Sequence, residues 1–332
     1  MIPEDSRAKT MLDWLNKDLA LAIHYYGLAS SDASFRRYFR IGTEQGSFIV
    51  MDAPPEKENI EPFIKVAHLL SQANINVPVI FQQNPSQGFL LLEDFGSICF
   101  LDRLREANAE SLYQSAIDSL FRQQTQVPAE NSVLPPYNQE LLERELAIFE
   151  DWFLSRYLGL TIPDQIQSSL YQLLIESALE QPVTCVHRDY HSRNLMVVEP
   201  DCPGVIDFQD AVVGPITYDL VSLLKDCYIS WPESLVEQWM TQYFHRLQQA
   251  GLVHCSLDRF KRWFDLMGLQ RHLKAIGIFS RLQLRDQKPG YLKDIPRTLS
   301  YLTRTCRHYS ELSEFADFLH LRVLPAYSRV TL

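Results

Sequence analysis

The stretch from Pro182 to Gln209 constrains this chain more than any other part of it. Its short apolar runs, Val183 to Val186, Leu195 to Val198 and Gly204 to Ile206, read as small strands separated by loops. The first loop carries His187-Arg188-Asp189-Tyr190-His191-Ser192-Arg193-Asn194, and Asp207-Phe208-Gln209 follows thirteen residues later. Asp and Asn are common in turns, and Val-Ile-Asp-Phe could by itself be a buried strand ending in an ordinary cap. Two spaced motifs that agree with one strand-loop-strand context are a far more specific signal than either alone.

The rest of the chain narrows the class of partner. Its 332 residues are 46% hydrophobic, enough for one large domain or two lobes. The net charge of −10 and pI near 5.4 argue against a nucleic-acid surface, which needs clustered Lys and Arg. No stretch approaches the roughly 20 apolar residues of a membrane span, and the opening MIPEDSRAKT lacks the pattern of a secretion signal, so a cytoplasmic protein is expected. The six cysteines are dispersed without C-x-x-C spacing and read as buried free thiols rather than a zinc cage or redox pair.

A helix is expected near the start, with Thr10 as its cap, Asp13 three residues on, and Leu12, Leu15 and Leu19 on one face. Tyr38 to Ile41 and Phe48 to Met51 flank Gly-Thr-Glu-Gln-Gly, which is turn chemistry for a hairpin. A helix over Glu61 to Gln72 buries Phe63, Val66, Ala67 and Leu70, and Val77 to Phe81 with Gly88 to Leu92 form a second hairpin. From Leu101 onward helical periods dominate. These readings predict an α+β fold: a small antiparallel-sheet lobe over 1–96, a junction at Glu93 to Ser97, and a larger, mainly helical lobe over 97–332.

The Asp189/Asn194/Asp207 constellation resembles the catalytic loop and metal-binding triplet of the protein-kinase-like superfamily, and so implies a bilobal kinase-like fold that uses ATP and Mg2+. Each residue type has a chemical reason. A carboxylate, Asp189, orients the attacking hydroxyl and accepts its proton, and its low pKa is no obstacle when that proton leaves late. An amide oxygen, Asn194, and a carboxylate, Asp207, are hard ligands for a hard cation. His187 is expected to support the loop by hydrogen bonds, as is Asp219 from a helix start after Gly214-Pro215. His191 and Arg193 either face the acceptor or belong to a solvated loop.

With no Ala-Pro-Glu-like element and little room for an activation loop before Tyr218, the chain resembles the aminoglycoside phosphotransferase-like family, whose members phosphorylate small molecules. Ser34-Phe35-Arg36-Arg37-Tyr38-Phe39-Arg40, Val50-Met51-Asp52-Ala53-Pro54-Pro55-Glu56, Leu92-Glu93-Asp94-Phe95-Gly96 and Gly268-Leu269-Gln270-Arg271-His272-Leu273-Lys274 resemble the anomeric sugar kinases of bacterial cell-wall recycling. That resemblance implies transfer to the C1 hydroxyl of N-acetylmuramate or N-acetylglucosamine. Other acceptors, such as choline, homoserine, an aminoglycoside or another sugar, and a nucleotide-binding regulator without activity, are the competing readings.

The resemblance further implies a phosphate-binding turn with Ser34, Phe35, Arg36 and Arg37, and an adenine hinge at Glu93 and Phe95. Two departures stand out: the turn has no glycine, and Met51 occupies the strand position where kinases place a phosphate-binding lysine. Another cation must substitute, with Arg37 first in line and Arg40, Lys57 and Lys65 behind it. The triplet Arg271, His272 and Lys274 suggests a site for the carboxylate of N-acetylmuramate, the competing reading being an exposed basic helix face.

Overall fold

A computed structural model describes residues 6–31, 35–130, 132–200 and 202–331. The chain divides into two compact units, Met1–Cys99 with Leu195–Asp210, and Phe100–Asn194 with Ala211–Leu332. Where the sequence suggested one cut near residue 96, the chain passes out of the first unit after Cys99 and returns to it for sixteen residues, Leu195 to Asp210.

The first unit contains α1 (Ser6–Asp13), β1 (Ile23–Ser31), β2 (Arg37–Thr43), β3 (Gly46–Asp52), α2 (Glu61–Gln72), β4 (Ile80–Asn84) and β5 (Phe89–Glu93). The strands form an antiparallel sheet in the order β1-β2-β3-β5-β4. Period-two burial sets the register: Phe39, Ile41 and Thr43 of β2 point inward, and Phe39 pairs with Val50 of β3. Met11, Trp14 and Leu15 cover this face, with Phe89 and Leu91 from β5 completing the core. Burying a side chain such as Phe39 or Phe89 contributes about 1.5–3 kcal/mol each.

Both expected hairpins and the helix over 61–72 are present. α1 begins at Ser6, so Thr10 is an interior residue whose hydroxyl donates to the Ser6 carbonyl rather than a cap. Strand β1 was not anticipated. The turn closing the second hairpin needs a glycine: Gly88 has φ +74° and a Cβ there would lie 1.9 Å from the Ala53 oxygen.

The second unit begins with α3 (Phe100–Arg103), α4 (Ala109–Gln126), α5 (Gln139–Ile148), α6 (Asp164–Leu179) and β6 (Val183–Val186). The chain then lends β7 (Leu195–Met196) and β8 (Gly204–Val205) to the first unit, and resumes with β9 (Val212–Pro215), α7 (Tyr218–Leu224), α8 (Glu233–Gln249), α9 (Leu257–Leu284) and α10 (Ile295–His308). α9 is the central rod of this unit, buried along most of its length. A Cβ on Gly277 would lie 2.5 Å from the Ile148 carbonyl oxygen, so only glycine allows α9 to pass so near the end of α5.

Candidate active site

Antiparallel pairing of β6 with β9, Val186 opposite Val212, delivers the chain to the loop His187–Asn194. Asp219, one residue into α7 and fully buried, accepts the backbone N–H groups of His187 at 2.6 Å and Arg188 at 2.9 Å, and the side-chain amide of Gln123 at 2.9 Å. Burial pushes its carboxyl up to about 7, against the pull of those three donors. The pinning holds Arg188 at φ +74°, a left-handed conformation that a residue of this size adopts only when its surroundings impose it.

The same loop is tied down on its far side. Asp226 accepts from the backbone N–H of Ser192 at 2.9 Å, from the Ser192 hydroxyl at 2.5 Å and from the N–H of Tyr228 at 2.8 Å. The His187 ring accepts the Asp189 N–H at 3.3 Å, and the Asn194 side-chain amide donates to the Asp189 carbonyl at 3.0 Å.

Asp189 itself is a half-buried carboxylate. Burial raises its pKa, but the charges of Lys274, His191, Arg271 and Arg188 outweigh this and hold it at about 2, so it is ionised at neutral pH. It lines a recess of about 80 Å³ together with His191, Cys227, Tyr228, Arg271 and Lys274. A roomier groove between α4 and α8, about 470 Å³ and lined by Glu110, Trp239 and Arg246, carries none of this chemistry.

The three α9 residues singled out in the sequence have separate fates, and none lies on an exposed basic face. Lys274 Nζ sits 2.9 Å from Glu145 and 3.3 Å from the Tyr218 hydroxyl. Glu145 also binds Arg188 and accepts from the Tyr137 hydroxyl and from Gln270 at 3.0 Å, and these cations hold its pKa at about 2 despite its burial. Arg271 donates to the Cys227 sulfur at 3.6 Å. His272 is a core histidine, absent from the recess: its Nε2–H donates to the Lys225 carbonyl at 2.8 Å and its ring stacks on Tyr301. Arg193 lies over the Tyr228 ring at 3.8 Å, packed rather than solvated.

In the first unit, Asp207 adopts φ +65° and accepts from Gln209 at 2.7 Å, while Phe208 is buried against Phe63 of α2, ring centroids 4.8 Å apart. Arg36 lies 3.7 Å from Glu58, which also accepts the Phe35 N–H at 3.2 Å. Burial opposes its charge, but Tyr38, Glu58, Asp207 and Asp210 together raise the Arg36 pKa. Arg37, first choice for the missing phosphate cation, is instead committed to the buried Asp52 at 2.5 Å, which it shares with Arg7. Arg40 is likewise held by Asp94 at 2.7 Å, and Lys65 pairs with Glu61 on an exposed face. Lys57 sits 4.5 Å over the Phe35 ring. Met51 is fully buried.

At the end of β5, the Glu93 N–H donates to Val79 and its carboxylate accepts the Val79 N–H, so β4 and β5 are clamped there. Phe95 packs on Gly204, where a Cβ would lie 2.6 Å from its ring. Ser34 lies outside the described residues. Sequence reasoning missed Glu145, Asp226 and Gln123, none of which falls within a motif, and the clamp made by Asp52, which lies in the run Val50 to Glu56 but was given no role there.

Residues 27–253 match the family described as Phosphotransferase enzyme family. A protein of Pseudomonas putida named N-acetylmuramate/N-acetylglucosamine kinase is 48% identical over 295 residues, 88% of this chain and 86% of its own. One of the same name from Neisseria meningitidis is 42% identical, over 86% of each chain. Among solved structures, an ADP-bound aminoglycoside phosphotransferase superposes with a TM-score of 0.59 at 14% identity, over 89% of this chain and 98% of that one, which establishes the kinase-like fold. On family match and fold alike, this chain belongs to the phosphotransferase enzyme family.

Proposed function

We propose that this protein is an ATP-dependent kinase that phosphorylates the anomeric, C1, hydroxyl of N-acetylmuramate and N-acetylglucosamine, yielding sugar 1-phosphates for peptidoglycan recycling in the cytoplasm. The observation that carries the reading is an ionised, half-buried Asp189 in a recess lined also by Arg271 and Lys274. The names of the two bacterial relatives support the acceptor. Cationic acceptors such as choline or an aminoglycoside would meet two cations there and be repelled.

In this reading the second unit holds the acceptor and the first the nucleotide. Asp189 accepts the C1 hydroxyl proton as the sugar oxygen bonds to the γ-phosphorus and the bond from that phosphorus to the β-γ bridging oxygen breaks, releasing ADP. His187 and Asp219 keep the loop in register through the bonds described above. Adenine is assigned to the strand end at Glu93 to Phe95, and Phe35 to the nucleotide as well. Arg36, rather than Arg37, is assigned to the phosphates because its neighbourhood includes Asp207, whereas Arg37 is neutralised.

Asp207 and Asn194 each offer a hard oxygen of the kind magnesium takes, and the Asn194 nitrogen is already turned to Asp189. Bound magnesium would neutralise charge on the phosphates during transfer.

The test is an ADP-release assay with ATP and magnesium over N-acetylmuramate, N-acetylglucosamine, glucosamine, choline and an aminoglycoside, with NMR of the product. Phosphate at C1 of an N-acetyl sugar is the expected outcome. Turnover of choline alone would overturn the acceptor, and silence on all five would overturn the sugar-kinase reading.

A further inference from the structure

Several part-buried cations of this protein come with carboxylates. Arg188 and Lys274 share Glu145, Lys225 has Asp265 at 2.7 Å, Arg7 and Arg37 share Asp52, and Arg40 has Asp94. Arg271 does not. It is 5% exposed, and among the described residues it forms no ion pair; its hydrogen bond goes to the sulfur of Cys227, a weak acceptor, at 3.6 Å. A guanidinium carries five N–H donors and is not deprotonated in proteins, and the carboxylates that act on this one, Asp189 and Asp226, do so through space rather than as ion-pair partners.

This cation is on the wall of the recess that contains Asp189. An unpartnered group stands on the same wall: His191, also buried, has an Nδ1 with no hydrogen-bond partner. Lys274, one helical turn further along α9, lines the recess too, but Glu145 already answers its charge. The site therefore presents one cation outside an ion pair, with planar, forked donors, which is the geometry that matches a carboxylate in bidentate fashion.

The two sugars of the proposed reaction differ at one place. N-acetylmuramate carries a lactyl ether, with its carboxylate, where N-acetylglucosamine carries a hydroxyl. Resting on that reading of the function, we propose that Arg271 is the residue that binds the lactyl carboxylate, so that it sets the preference for the acidic sugar over the neutral one. His191 offers the same ligand a further polar contact.

The experiment compares Arg271→Met and Arg271→Lys with the wild type on both sugars, by steady-state kinetics and by calorimetric binding without ATP. For Arg271→Met, KM for N-acetylmuramate should rise about 10- to 100-fold more than KM for N-acetylglucosamine, the range of one charge-assisted contact; any loss common to both sugars reports the charge removed from beside Asp189. Arg271→Lys, which keeps the charge and loses the fork, should fall between the two. An equal fall in kcat on both sugars with no difference in KM between them would overturn the proposal and move Arg271 to the transferred phosphoryl group. Unchanged kinetics on both would also overturn it. If the wild type turned over neither sugar yet bound N-acetylmuramate more tightly than N-acetylglucosamine, with the difference lost in Arg271→Met, carboxylate recognition would stand and the kinase assignment would fall.

Discussion

Glu145 on α5 and Lys274 on α9 meet at 2.9 Å in the interior of the second unit, and the same carboxylate holds Arg188 of the catalytic loop. One buried anion thus orients a cation of the recess and the residue preceding Asp189. Glu145→Gln keeps the shape but strands two buried cations. It should lower unfolding free energy by about 3–5 kcal/mol, read as a shift of the urea midpoint. A midpoint within error of the wild type would show that the network is not needed for stability.

Asp189→Asn removes the proton acceptor while leaving the backbone bonds of the loop in place. Turnover should fall by about 10²- to 10⁴-fold with ATP affinity unchanged. Asp207→Ala should differ from it by weakening nucleotide binding in magnesium-containing buffer, measured by calorimetry. Full turnover in Asp189→Asn would remove it from the chemistry.

Arg36 and Arg37 are neighbours with opposite expectations. Arg36→Met should raise KM for ATP severalfold or more, measured by steady-state kinetics. Arg37→Met leaves the fully buried Asp52 with Arg7 alone, and should show itself as a lowered urea midpoint instead. The reverse pattern would return the phosphate role to Arg37.

His272 makes acid stability a readout of burial. Burial, with Arg271 and Lys225 nearby, holds its pKa at about 3, whereas an unfolded histidine titrates near 6.5. Between those values the unfolded chain takes up a proton that the folded chain refuses, so stability falls as pH drops below about 6.5, by up to about 1.4 kcal/mol per pH unit. His272→Gln, which can still donate to the Lys225 carbonyl, should flatten the slope between pH 6.5 and 4.5 in urea titrations. An unchanged slope would mean that this ring is protonated in the folded protein.

Much of the fold could be read from local pattern. β2 shows alternate burial, and α2 carries Pro62 in its first turn, where the missing N–H costs nothing. β1 escaped notice because IHYYGLASS does not alternate cleanly and its tyrosines, Tyr25 and Tyr26, stay exposed. The residues of the loop His187–Asn194 could be grouped in advance because they are neighbours in sequence. Glu145 and Asp226 were not, because they reach the loop through tertiary contacts, and a Glu on a helix ordinarily points to solvent. On α9, Arg271 and Lys274 are three apart and share a face, while His272 lies about 100° around the helix, so a triplet compact in sequence was bound to split.

The sixteen-residue return of the chain to its first unit bears on how the protein is made. The first hundred residues leave the ribosome without β7 and β8, and without the Phe208 that fills the space against Phe63. They cannot finish folding until Asp210 has emerged, by which time α3 to α6 are already out. Synthesis order and folding order are therefore uncoupled here: a fragment stopped near residue 99 is an incomplete body with an exposed apolar seam, and no single peptide bond exists at which the two units could be separated intact.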